Sequence, residues 1–197
     1  MNFTAYAASV SQRGHANEDA FLIDRAVPLM AVFDGEGNAE NAAKKAARQL
    51  ERLCKEYGSN LDLLKAAKLL DSYLLGVNRS TMVAARLDKD VVTICSVGDS
   101  RAYLVRDGQA SILTEGTGKQ KLGSGAIQPL IKQVAAKDRD VLLLMTDGIW
   151  TRYSLYTLAR VVVSQLSLPE LPTVLLEQAA KGGVYDDMTV VVITVRR

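Results

Sequence analysis

Apolar residues recur in two different periods along this chain, and the switches between them mark its elements. Residues 3–11 mix Ala, Tyr, Val and Ser as a strand does, and Ala20 to Ile23 continues as a short one. "PLMAVF" (28–33) is a continuous apolar run ending abruptly at Asp34, which predicts a strand buried on both faces. Two helices follow. In the first, Ala39, Ala42, Ala43, Ala46, Ala47, Leu50, Leu53, Cys54 and Tyr57 recur at spacings of three and four, with Lys and Arg on the other face and Gly58 as the stop. The second opens near Ser59-Asn60, carries Leu61, Leu64, Ala67, Leu70 and Leu74, and fades at Gly76-Val77-Asn78.

The period then shortens to that of strands: "STMVAARL", a turn at "DKD", "VVTICSVGDS", "RAYLV", Asp107-Gly108 and "QASILT". The Asp107-Gly108 pair lies between two half-polar strands and reads as a two-residue hairpin turn. Residues 115–126, "EGTGKQKLGSGA", read as a mobile glycine-rich loop; its "GTGK" is no P-loop, because Leu113 occupies the place of the first glycine. "VLLLMTDGIW" is a second buried strand, running into Asp147-Gly148. Helical segments over 152–166 and 170–181, broken at Pro169 and Gly182-Gly183, precede a final strand, "MTVVVITV". This order is α+β, with helices packed outside sheets, in one domain spanning 1–197 without repeats or linkers.

Composition narrows the function classes. Hydrophobic residues are 48% and charged residues 23%, as in globular proteins that fold in water, and the formal charge is +2, with no basic stripe to suggest nucleic acid. No apolar run is long enough for a membrane span and no leader pattern is present, so a cytoplasmic location is expected. Cys54 and Cys95 form no CxxC pair and read as buried small hydrophobes in a reducing compartment.

Acids sit at the tips of apolar strands with unusual regularity: Glu18-Asp19, Asp34, Asp99, Asp147 and Asp186-Asp187. Asp34-Gly35 and Asp147-Gly148 differ from Asp107-Gly108 because they follow fully apolar runs, which cannot be the arms of a solvent-facing hairpin. Several carboxylates converging would repel one another unless a cation neutralised them, and hard divalent cations take oxygen ligands of this kind. A single strand-tip acid is more often only a polar end; the set is what points to a metal.

"NEDAF", "VFDGEGN", "STMVAARL", "SVGDSRAYLVRDG", "LLLMTDGIW" and "DDMTVVVI" resemble, in order, the motifs of the metal-dependent protein serine/threonine phosphatases of type 2C, in particular compact bacterial members. The resemblance implies a four-layer β-sandwich flanked by helix pairs, with two Mn²⁺ or Mg²⁺ ions at one end. Carried over by position, Asp34 would bridge the ions, the Gly35 carbonyl would ligate one, Asp147 and Asp186 would complete the other, and Glu18 and Asp19 would orient metal-bound waters. Asp99 matches the acid that holds a third ion. A water between the cations, its pKa lowered from ~15.7 toward ~7, would attack phosphoserine or phosphothreonine of a protein.

Three positions depart from the family pattern. The arginine that clamps phosphate is replaced by Gly14, with Arg13 one place earlier as the candidate clamp or a solvated charge. Glu36 stands where eukaryotic relatives have the histidine that protonates the leaving group. The flap segment is short, leaving only the glycine-rich loop and "IQPLIKQVAAKDRD". His15 is either a loop histidine or a substrate-side acid, and Trp150 and Tyr153 read as core or a substrate wall. Two enzyme readings share this chemistry: a phosphatase opposing a Ser/Thr kinase, or one dedicated to a small regulatory protein such as an anti-sigma-factor antagonist. The alternative is a catalytically weak or inactive module that binds a phosphorylated regulatory partner.

Overall fold

The computed structural model describes residues 2–12, 14–36, 42–76, 79–114, 118, 120–165 and 167–196. Two five-stranded antiparallel sheets lie face to face. The first orders strands β1 (Asn2–Val10), β12 (Met188–Arg196), β11 (Val141–Met145), β8 (Arg101–Arg106) and β9 (Gln109–Ile112). The second orders β10 (Leu130–Ala135), β7 (Val91–Val97), β6 (Met82–Asp88), β3 (Leu29–Phe33) and β2 (Ala20–Asp24). A two-stranded ribbon, β4 (Gly35–Glu36) with β5 (Arg79–Ser80), extends beyond β3.

Alternation along each strand assigns its side chains to layers. Met30 and Val32 of β3 face inward with Ile94, Leu104, Leu142, Leu144, Val191 and Ile193, forming the core between the sheets. Leu29, Ala31 and Phe33, on the other face, meet helices α1 (Ala42–Tyr57) and α2 (Leu63–Leu74). On the opposite side Leu143, Met145, Val190 and Val192 pack under α4 (Leu155–Ser164) and α5 (Leu171–Ala180). The result is the four-layer helix–sheet–sheet–helix sandwich. Both faces of β3 and β11 are covered, which is why each reads as an unbroken apolar run with every residue buried.

Helix boundaries follow local chemistry. Gly58 takes φ +55° directly after α1, the left-handed stop that its position in the sequence calls for. α2 begins later than the Ser59-Asn60 expectation, because the Asp62 carboxylate accepts from Lys65 N at 2.7 Å and caps it there. Ser154 Oγ likewise accepts from Thr157 N, so the helix expected over 152–166 starts at Leu155, and a one-turn helix α3 (Asp147–Trp150) precedes it. The Ala39 expectation lies outside the described residues. Two segments correct the sequence reading. β10 was not anticipated, since only Leu130 and Val134 on it are partly buried and its pattern is that of an exposed edge. Residues 120–125 of the glycine-rich loop are held by defined contacts rather than loose, as detailed below. Cys54 and Cys95 are both buried, and burial pushes each thiol up to about 12.

Candidate active site

Strand register gathers the acids at one end of the sandwich. Ala20 pairs with Phe33, so Asp19 and Asp34, one residue beyond each, lie side by side. Met145 pairs with both Arg101 and Val190, which brings Asp147, the Asp99 turn before β8 and the Asp186-Asp187 pair before β12 to the same edge. The expected set of Asp19, Asp34, Asp99, Asp147 and Asp186 is thereby brought within electrostatic reach of one another.

Asp34 is held by its backbone. Its carbonyl accepts from Thr81 N at 2.8 Å and from Ser80 Oγ at 2.9 Å, and its N–H donates to Thr81 Oγ1 at 3.1 Å. Thr81 in turn shares a 2.6 Å hydrogen bond with Ser100, beside Asp99. The Asp34 carboxyl is pushed up to about 8, first by burial and then by the carboxylates of Asp19 and Asp147; Lys121 pulls the other way and Asp99 adds to the rise. Asp19, 4% exposed, is pushed up to about 7 by burial, although it accepts a 2.8 Å hydrogen bond from Thr146 Oγ1. Asp147 is raised as well, by burial and then by Asp186 and Asp99. Asp99 Oδ1 is buried without a hydrogen-bond partner.

A site that holds acids at such pKa values is short of positive charge. Its donor set is all oxygen, as Mn²⁺ and Mg²⁺ require, and the orphaned Asp99 oxygen is a further lone pair waiting for a cation. Among the described residues no three Asp, Glu, His or Cys side chains are drawn together tightly enough to hold an ion as they stand. In composition, burial and electrostatics the residues fit divalent cations.

The remaining expected residues are placed as follows. Gly35 is buried and paired with Ser80 in the β4–β5 ribbon, so Asp34-Gly35 is a strand junction and not a turn. Glu36 is exposed and ion-paired with Lys121. Glu18, Asp186, Asp187, Gln12 and His15 line a cleft of about 200 Å³ beside the acids. His15 is an exposed residue at its rim. Arg13 lies outside the described residues. Trp150 and Tyr153 pack against the core under α4 and α5, with Tyr153 donating to the Leu175 carbonyl at 2.7 Å.

Several working residues were given no role of their own by the sequence reading, although Asp187 and Gly148 lie in pairs it singled out. Asp187 is 8% exposed and accepts from Gln12 N at 2.6 Å and Glu18 N at 2.5 Å, clamping the β1–β2 connection to β12. Gly148 must be glycine, since a Cβ there would lie 2.1 Å from the Asp187 carbonyl. Thr146 joins Asp19 to Thr189, whose N–H donates to Thr146 Oγ1 at 2.9 Å. Among the described residues, Lys121 is a cation that acts on both Asp34 and Asp147. The doubled acid at 186–187 and the Asp147-Gly148 pair were the visible signals; hydroxyls and a loop lysine have no signature of their own.

Comparison with known proteins bears on the fold and the family. The catalytic domain of the serine/threonine protein phosphatase PstP, solved in complex with two manganese ions, superposes with a TM-score of 0.83 at 23% identity, covering 99% of both chains. A bacterial serine phosphatase superposes with a TM-score of 0.88 at 19% identity, over 99% of this chain and 98% of that one. The serine/threonine phosphatase stp of Listeria welshimeri is 26% identical over 227 aligned positions, covering 91% of this chain and 90% of that protein. The fold is that of the type 2C phosphatases. The model of the stage II sporulation protein E (SpoIIE) family matches residues 28–196, and the chain belongs to that family.

Proposed function

We propose that the chain, acting as one catalytic domain over 1–197, hydrolyses phosphoserine and phosphothreonine in proteins with the help of two Mn²⁺ or Mg²⁺ ions. The observation that carries this reading is the gathering of Asp19, Asp34, Asp99, Asp147 and Asp186 at one end of the sandwich, where burial first and neighbouring carboxylates after it raise Asp34 to about 8 and Asp19 to about 7. Retaining such a cluster is costly unless cations complete it. Asp34 would serve both ions, with the Gly35 carbonyl, Asp147 and Asp186 completing the set that would hold them; Asp99 would hold a third, and Glu18 and Asp19 would orient water. When bound, the cations bring a coordinated water toward ionisation at neutral pH and neutralise the phosphoryl oxygens.

The chain's own residues do the rest. Ser80 and Thr81 fix the Asp34 backbone, so the carboxylate does not reorganise during turnover. Thr146 and Thr189 hold Asp19 in a water-poor setting and fix its orientation toward the cluster. Asp187 closes the Gln12–Glu18 connection over the cleft, keeping Glu18 at the reacting edge. The substrate is a phosphorylated protein, as the names of the relatives suggest for their own substrates, and an opposing Ser/Thr kinase supplies it. No helix among the described residues is long and apolar enough to cross a membrane.

The test is hydrolysis of a phosphothreonine peptide in EDTA, Mg²⁺ and Mn²⁺, with Asp34→Ala alongside. Turnover that requires the metal and falls at least ~10³-fold in Asp34→Ala is expected. Metal binding without turnover would replace the reading with a phosphoprotein-binding module, and no Asp34-dependent metal binding would overturn it.

A further inference from the structure

We propose that Lys121 contacts the phosphoryl oxygens of the substrate at the lip of the acid cluster, and that its ion pair with Glu36 holds the ammonium in place until substrate displaces the carboxylate. The proposal rests on the phosphatase reading and names a binding residue for it, on a different segment from Arg13 and Gly14.

Four observations carry it. The backbone of the segment is fixed: Leu122 N donates to Ser80 O at 2.8 Å, Ser80 N donates to Leu122 O at 3.3 Å, and the Leu122 side chain is fully buried. The buried Asp71 carboxylate of α2 accepts from Gly123 N at 2.7 Å and Gly125 N at 3.1 Å, tying down the far side of the loop. The same segment packs on the turn that carries Asp99, where a Cβ on Gly98 would approach the Gln120 carbonyl to 3.0 Å. Ser80 also donates its hydroxyl to the Asp34 carbonyl, so Lys121 is registered to Asp34 through a short chain of hydrogen bonds.

The side chain is the unusual part. Lys121 is only 18% exposed, whereas Glu36, its ion-pair partner, is 56% exposed and hydrated. Lysine is seldom withdrawn from water this far without a purpose served by its charge. Its Nζ is held by Glu36, two residues beyond Asp34, while the neighbouring Leu122 is bonded to the same Ser80 that fixes the Asp34 carbonyl, so the ammonium sits at the lip of the cluster. Once cations neutralise the carboxylates, the local charge favours an anion, and a phosphoryl dianion offers an ammonium a stronger partner than an exposed glutamate does. The three rotatable N–H donors of a lysine suit phosphate oxygens, which are not held in one plane.

The experiment uses the Mn²⁺-loaded full chain and reads inorganic phosphate binding by calorimetry, with KM and kcat on a phosphothreonine peptide alongside. Lys121→Ala should weaken phosphate roughly tenfold or more and raise KM comparably, without weakening Mn²⁺ binding. Lys121→Arg should recover most of both. Glu36→Gln, which removes the competing carboxylate, should tighten phosphate. Unchanged phosphate affinity in Lys121→Ala would overturn the assignment. So would a parallel loss in Glu36→Gln, because the pair would then matter only as a structural tie. Thermal unfolding checks that the variants are folded, and Lys121→Met serves in place of Lys121→Ala if the latter is not. A wild-type chain without Mn²⁺-dependent turnover would sink the phosphatase reading instead, while the phosphate titrations still decide the role of Lys121.

Discussion

The two ends of strand β11 carry one buried and one half-buried aspartate in opposite electrostatic circumstances. Asp140, just before the strand, is 2% exposed and fully answered: Arg106 Nε and Nη2 donate to its two oxygens at 2.7 and 2.6 Å, and Lys137 N adds a bond at 2.8 Å. Asp147, two residues past the strand, shares its end with Asp19, Asp34, Asp99 and Asp186 and is relieved in part by a backbone hydrogen bond from Gly148 and by the charge of Lys121, with its carboxyl still raised. The fold therefore knows how to neutralise a buried carboxylate with its own arginine. It does so at the end where the acid is structural and leaves the other end open. A deficit of positive charge kept at one end of a strand, and removed at the other, is what the proposed metal site requires.

The largest expected effect breaks the satisfied end. Arg106→Ala strands Asp140 in the interior and should cost about 2–4 kcal/mol, less than a fully buried pair because the arginine side chain is 22% exposed. Denaturant unfolding should show the loss equally in EDTA and in Mn²⁺, with metal affinity unchanged. Adding Asp140→Asn, which removes the charge but keeps an acceptor for Lys137 N, should return part of it.

The open end should respond with the opposite sign. In EDTA, Asp34→Asn should stabilise the protein by on the order of 1–3 kcal/mol at pH 9, because the wild-type carboxylate is ionised there among like charges. The sign follows from its raised pKa, about 8 in the folded chain against 3.8 for the ordinary group. Below about pH 4 both states hold the proton and the variant gains nothing. Between pH 4 and 8 the unfolded chain ionises first, so wild-type stability declines as pH rises. Asp19, raised to about 7, adds to the same slope. Thermal unfolding in EDTA across this window, repeated with Mn²⁺, measures it. A wild-type profile that stays flat in EDTA would show that the acids are not under strain.

Much of this contrast is legible in the sequence, though not all of it for the same reason. The apolar runs of β3 and β11 are visible because both faces of each strand are buried, and the acids at their tips follow from where those runs stop. The hairpin at Asp107-Gly108 is visible from its dipeptide and from the alternation of β9, although β8 is buried continuously from Ala102 to Val105. What fails to show is what depends on distant partners. Asp140 looks like one more charge in "KDRD" until Arg106, 34 positions earlier, is folded against it. Residues 120–125 look loose because glycine is common there. Their order comes from Asp71 and Ser80, which no local pattern connects to them. Edge strand β10 hides because an exposed edge has no strong period.

The smallest predicted effect isolates context most cleanly. Asp107-Gly108 repeats the dipeptide of Asp34-Gly35, but Asp107 at φ +51° and Gly108 at φ +77° form a two-residue turn between Arg106 and Gln109, in the left-handed region that Asn also tolerates. Asp107→Asn should therefore change stability by no more than about 0.5 kcal/mol, at any pH and with or without Mn²⁺. The same substitution at Asp34 removes a carboxylate that is buried, crowded by like charges and fixed by Ser80 and Thr81. If both variants behaved alike in EDTA and in Mn²⁺, the burial of Asp34 would have no consequence and the proposed metal role would fall with it. If only Asp34→Asn couples stability to metal, the difference between two identical dipeptides is the surroundings that the fold builds around one of them.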